Sequence, residues 1–193
     1  MTDDDRSDIG CRPSLLVISG PPCAGKSTLA DALHREGGAC LDVDRVRQAV
    51  IPDSDQSERD RDIAYAAMHV LAKELLEAHV SPVIVAATYM RLEQRQHLRD
   101  AFADSRTAVL VVQCTVDPAT AVERFRHRQP GHAALDLTNE SVRRAASEYV
   151  LTPEEALVVD TTRDLGQCAR IVREWVREGR TTRLARWCAR SRR

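Results

Sequence analysis

Leu15-Leu16-Val17-Ile18-Ser19-Gly20-Pro21-Pro22-Cys23-Ala24-Gly25-Lys26-Ser27-Thr28 decides the fold. Four apolar residues, two of them β-branched, read as a buried strand. Gly20, Gly25, Lys26 and Ser27 complete a G-x-x-x-x-G-K-S/T pattern. Leu29, Ala30, Ala32 and Leu33 then follow at helical spacing. Strand, glycine loop and helix in that order make a phosphate cradle. Glycine lets the backbone turn its N–H groups onto an anion, and the helix N-terminus adds partial positive charge there. In such a loop Gly20, Pro21, Pro22, Cys23, Ala24, Gly25, Lys26, Ser27 and Thr28 surround the phosphates. Lys26 reaches the β- and γ-phosphates and Ser27 holds Mg²⁺. Cys23 fills space in the loop.

Outward from this stretch, short apolar runs alternate with helical patterns. The strands read are 39–42, 83–87, 108–114 and 157–160. Helices are expected over 58–79, with Ile63, Ala67, Val70, Leu71 and Leu75 on one apolar face, over 91–102, after Asp117-Pro118, from 138 onward, and at the end, with Ile171, Val172, Trp175 and Val176 inside. Strands apolar on both faces imply a parallel sheet covered on both sides. The fold class is therefore α/β, a three-layer sandwich of about five parallel strands with helices on both faces. Residues 1–13, with four aspartates, read as a disordered acidic lead-in. Residues 14–178 read as the domain and 179–193 as a basic tail.

Composition narrows the partners. The chain has 193 residues and a net charge of −1, so no global field marks a nucleic-acid or membrane partner. Aromatic residues are 4%, few for a single-strand binder built on base stacking. No apolar run approaches the ~20 residues that span a bilayer. Six cysteines without a C-x-x-C pair argue against a zinc site or a disulfide framework. Reduced thiols and an acidic N-terminus, the wrong sign for a signal peptide, predict a cytoplasmic enzyme. Nine arginines and two glutamates in 170–193 could bind a polyanion. Leu184, Trp187 and Cys188 at helical spacing suggest instead a helix docked on the domain.

Further residues stand where ligands bind in open α/β sheets, at the carboxyl ends of strands. Asp44 ends the second strand; it is either the group that takes a proton from an acceptor hydroxyl or the N-cap of a helix over 45–50. Asp42, two residues earlier, is placed to hold Mg²⁺ through water. Arg47 is either a clamp for an acidic acceptor group or part of a solvated helix face. Arg91 and Arg95, four apart, share a helix face and could hold an anion between them, or lie on the surface.

Taken together, the phosphate loop, Asp44-x-x-Arg47, Thr88-Tyr89 after the third strand, Arg91 and Arg95, and the arginine-rich helix before residues 129–137 resemble one family group. It is that of the small P-loop kinases: zeta toxins, chloramphenicol phosphotransferases and polynucleotide kinases. The Asp42-x-Asp44 pair also resembles adenylylsulfate, gluconate and shikimate kinases. The resemblance covers roughly 14–165 and implies ATP- and Mg²⁺-dependent phosphorylation of a hydroxyl, with a lid over the site. A lid arginine, Arg128 or else Arg124, then neutralises the moving phosphoryl group. The resemblance leaves the acceptor open. A small molecule (nucleoside, sugar or antibiotic) is the first expectation, and a 5′-hydroxyl polynucleotide or a regulatory protein without transfer chemistry are the alternatives. One departure stands out. Chains resembling this one often carry an acid in the third strand, where Val85-Ala86-Ala87 stands here. Either Asp42 takes over the metal, or the chain is inactive.

Overall fold

A computed structural model of the chain describes residues 14–35, 37–103, 106–127, 137–178, 182 and 184–189. The acidic lead-in over 1–13 lies outside the described residues. The elements run β1 (Ser14–Ser19), α1 (Lys26–His34), β2 (Ala39–Asp42), α2 (Val43–Val50), α3 (Glu58–Glu77), β3 (Val83–Ala86), α4 (Leu92–Ala101) and β4 (Ala108–Thr115). They continue with α5 (Pro118–Arg126), α6 (Asn139–Glu148), β5 (Leu157–Asp160), α7 (Leu165–Arg177) and α8 (Leu184–Ala189). All five strands are parallel, in the order β2-β3-β1-β4-β5. The phosphate-loop strand is thus central, with Val17 beside Val85 on one side and Val111 on the other.

The alternation of β1 divides the core in two. Leu16 and Ile18 face the α1 and α7 layer, and Leu15 and Val17 face the α3, α4 and α8 layer. This is the two-sided covering that near-continuous apolar strands require. α8 carries the docking face its spacing predicts: Trp187 and Cys188 are buried, while Arg186 is exposed. The Trp187 ring lies 5.7 Å from Tyr89, and the Arg95 guanidinium sits over it at 5.1 Å.

α3 turns inward a face other than the one its aliphatic residues suggest. Ala64, Tyr65, Met68, His69, Ala72 and Leu76 are buried, whereas Ile63, Val70 and Leu71 are exposed. The reason lies in polar-tipped rings that find partners. The Tyr65 hydroxyl meets Thr88 Oγ1 at 3.1 Å and accepts from the Tyr89 N–H at 3.1 Å. His69 Nε2 meets the Tyr89 hydroxyl at 2.9 Å. Burying tyrosine with its hydroxyl satisfied removes more apolar surface than burying valine.

His69 gives the fold a pH dependence. Burial, with the charge of His97 as a smaller contribution, pushes its pKa down to about 4. Unfolded, it titrates near 6.5. Between those values the unfolded chain binds the extra proton, so stability falls as pH drops from 6.5 to 4. The loss should reach about 3 kcal/mol. Denaturant midpoints measured across that window should slope more steeply in wild type than in His69→Gln.

Candidate functional site

The cradle is built by close approach. A Cβ on Gly20, whose φ is 149°, would lie 2.6 Å from the Cys114 carbonyl oxygen. No other residue fits there, because β1 leaves the sheet directly beside β4. The Gly20 N–H donates to the Thr88 carbonyl at 3.4 Å, and Ala24 N–H donates to Pro21 at 3.3 Å. Cys23 (φ 63°) and Gly25 (φ 70°) are left-handed, the alternation that gathers backbone N–H groups around an anion. No side chain caps α1, so its first-turn N–H groups are left for a ligand.

Lys26 Nζ donates to the Pro21 carbonyl at 2.8 Å, folded back over the loop. Burial lowers its pKa below the usual lysine range; the neighbouring Cys114, Asp44 and Asp42 act the other way. Ser27 Oγ donates to Asp42 Oδ2 at 2.6 Å. Asp42 Oδ1 accepts from the backbone N–H groups of Asp44 (2.9 Å) and Arg45 (3.3 Å). One carboxylate therefore joins the phosphate loop to α2. α2 begins two residues before the 45–50 helix read from sequence, and its N-cap is Asp42. The capping alternative for Asp44 is thereby corrected. Asp44 lies in the first turn, paired with Arg47 at 3.1 Å. Arg47 is only 5% exposed, which rules out the solvated-face alternative.

A cavity of about 540 Å³ opens at the carboxyl ends of β1, β2 and β3. Lys26, Ser27, Asp42, Asp44, Arg47 and Arg91 all line it. Arg91 and Arg95 do not act as a pair. Arg91 is the N-cap of α4 and is held by Asp62 and Glu58. Arg95 is buried behind the cavity wall, with Nε donating to the Tyr89 carbonyl at 2.8 Å. An anion between the two is corrected on that ground. Sequence reasoning missed Arg61, Tyr65, Gln94 and Arg144, which line the same cavity from α3, α4 and α6. Only the Thr88-Tyr89 pair after β3 signalled that wall.

Arg124 reaches the other flank of the loop. It donates to the Cys23 carbonyl (3.3 Å), to Thr161 Oγ1 (3.1 Å) and to the Thr161 carbonyl (2.6 Å). A second hollow of about 280 Å³ lies there, lined by Gly25, Thr28, Arg124, Thr161, Arg163 and Cys168 among others. Arg128 and the lid expected over 129–137 lie outside the described residues up to residue 136. Of the lone histidines, His127 is exposed and His132 lies outside the described residues. Among the described residues no helix is long and apolar enough to cross a membrane.

Comparison with solved structures places this architecture among kinases. The APS kinase of Mycobacterium tuberculosis, solved with AMPPNP and APS, aligns at a TM-score of 0.66 and 20% identity, covering 86% of this chain and 98% of that one. A sugar kinase from Janibacter aligns at 0.65 and 18% identity, covering 85% and 94%. The tunicamycin resistance protein of Deinococcus radiodurans aligns at 0.63 and 17% identity, covering 86% and 96%. At such identities the likeness is one of fold, and it is the small P-loop kinase fold that the loop and its flanks resemble. No curated protein sequence matches the chain significantly. The sequence profile of the AAA domain family matches residues 15–152, most of the chain and all of the site-bearing loops up to α6. The chain therefore belongs to the AAA domain family, with its phosphate loop in the setting of a P-loop kinase fold.

Proposed function

We propose that the chain is a phosphotransferase that moves the γ-phosphoryl group of ATP to a hydroxyl of a small molecule such as a nucleoside, sugar or antibiotic. One observation carries the reading: the phosphate-loop groups Lys26 and Ser27 and the carboxylates Asp42 and Asp44 line one cavity. A nucleotide-binding switch has no need of an acceptor-sized space beside a carboxylate. The small-molecule acceptors named for the APS kinase and the sugar kinase support the same reading.

The residues present fit the nucleotide and the metal. The left-handed loop backbone and the uncapped α1 N-terminus suit phosphate. Ser27 Oγ and the Asp42 carboxylate suit Mg²⁺, which usually keeps several waters. Bound Mg·ATP supplies the transferable phosphoryl group and spreads its charge. Lys26 neutralises phosphate charge from within the loop. Asp44 orients the acceptor hydroxyl and accepts its proton, while Arg47 holds the Asp44 carboxylate in place. Arg124 braces the loop from the nucleotide side, and the hollow beside it is of a size to receive a base. Arg128 completes the transition-state charge in this proposal.

Incubation with γ-labelled ATP and a panel of nucleosides, sugars, antibiotics and 5′-hydroxyl oligonucleotides tests the reading. Label on a small molecule supports it. Label on oligonucleotides alone would favour the polynucleotide alternative, whose support from the tail is reduced by the burial of Trp187 and Cys188. ATP binding without any transfer would favour the regulatory one.

Asp42 takes the metal role that an acid on β3 would otherwise fill. Ala86 is its register neighbour on β3, lies beside Ile18 of β1, and lines the cavity. Asp42→Asn keeps a capping oxygen and loses the charge. The Mg²⁺ midpoint for activity at saturating ATP should rise roughly 10–100-fold, the usual effect of losing a group that orients metal-bound water. Ala86→Asp in that background should restore it. An unchanged midpoint in Asp42→Asn would leave Asp42 as a cap and no more.

A further inference from the structure

The face of α3 that points away from the core has no partner in the fold. Three of the seven exposed large apolar residues among the described residues stand on this one helix, so the patch is a concentration rather than a scatter. Ile63 is 42% exposed, Val70 60% and Leu71 44%. At about 100° per residue, Ile63, Ala66, Ala67 and Val70 fall within one arc of about 100°, with Leu71 on its flank. The opposite arc holds Met68, Ala72 and Leu76, all buried in the core.

The ends of the same stripe are charged with opposite signs. Arg59 lies at the N-terminal end, and Glu74 and Glu77 lie at the C-terminal end, on the same arc. Arg59 and Glu74 make no ion pair among the described residues, and Glu77 has only a loose contact with Lys73 at 4.0 Å. We propose that this face is a homodimer interface, in which α3 pairs antiparallel with α3 of a second copy about a two-fold axis near Ala66 and Ala67.

Three features select that occupant and that direction. An antiparallel pair sets Arg59 against Glu74 and Glu77 of the second copy, and symmetry makes the contact twice. A parallel pair would set Arg59 against Arg59 of the second copy and waste both acids. Ala66 and Ala67 at the crossing point let the two helices approach closely, with Ile63 of one copy meeting Val70 of the other. A face one 20-residue helix long is at the small end for specific interfaces, below roughly 1,200 Å², so the dimer forms at micromolar concentration rather than obligately.

Sedimentation equilibrium of the full chain over about 1–200 μM, a range that brackets micromolar dissociation, tests this without reference to catalysis. The apparent mass should rise from 21.5 kDa toward twice that value. Val70→Glu should hold the chain monomeric, and its thermal melt should match wild type because Val70 contacts little within the fold. Arg59→Glu should weaken the dimer about tenfold, since two exposed pairs are lost at once. Adding Glu74→Arg and Glu77→Arg to it should restore association. A chain that stays at 21.5 kDa at every concentration overturns the proposal, even if deletion of residues 1–13 then releases a dimer, which would make the chain's own N-terminus the occupant. A dimer untouched by both Val70→Glu and Arg59→Glu overturns it equally.

Discussion

Lys26→Ala should lower kcat by roughly 10²–10³-fold or more while the protein stays folded. Lys26 is the one cation the phosphate loop itself contributes, and its ammonium already sits over the loop on the Pro21 carbonyl. Charge that develops on the transferred group then has no fixed counterpart in the loop. Folding should survive because the lysine lines the cavity rather than the core, and loss of a group whose burial depresses its pKa relieves a desolvation cost. Single-turnover rates with labelled ATP, read beside a thermal melt, separate the two effects. Turnover within a fewfold of wild type would remove the phosphate-loop mechanism.

Asp44→Asn should reduce kcat by roughly 10²–10⁴-fold, the usual worth of a positioned base, with ATP affinity unchanged. Two features make this a cleaner test than sequence alone allows. Asp42 caps α2, so a change at Asp44 leaves the helix start intact. Arg47 loses its ion pair with Asp44, so some loss of stability is expected as well. The discriminating measurement is kcat on the folded fraction against calorimetric ATP binding. Normal turnover by folded Asp44→Asn would leave Asp44 as the anchor of Arg47 and nothing else.

What the sequence disclosed was local. The strand, loop and helix at 15–33 carry their own signals: apolar run, glycines at required positions, then 3.6-residue periodicity. The five strands are apolar throughout and short, so their existence and order along the chain followed directly. The docking of α8 followed from three residues at helical spacing. What stayed hidden was set by tertiary pairing. α3 is apolar on two faces, and periodicity cannot say which one meets the sheet; the hydroxyl partners of Tyr65 and the ring partner of His69 decided it. Arginine is ordinarily a surface residue, so the burial of Arg95 depends on a tryptophan ninety-two positions away in the chain that no local pattern connects to it. The start of α2 was misplaced by two residues, which was enough to exchange the roles of Asp42 and Asp44 at the cap. The cavity's Arg61 and Arg144 come from helices whose facing is a product of the assembled fold.

The docking of α8 separates two units that are easily equated, the inherited module and the piece of chain that can stand alone. The family match ends at residue 152, yet Val159, Cys168, Val172, Trp187 and Cys188 beyond it are all buried. A fragment cut at that boundary would leave the β4 edge from Val112 to Thr115 unpaired and would uncover Tyr89 and Arg95 behind the acceptor wall. An open strand edge beside bared apolar surface is a template for aggregation. Any recombinant or evolutionary shuffling of this module must carry its last two helices along with it.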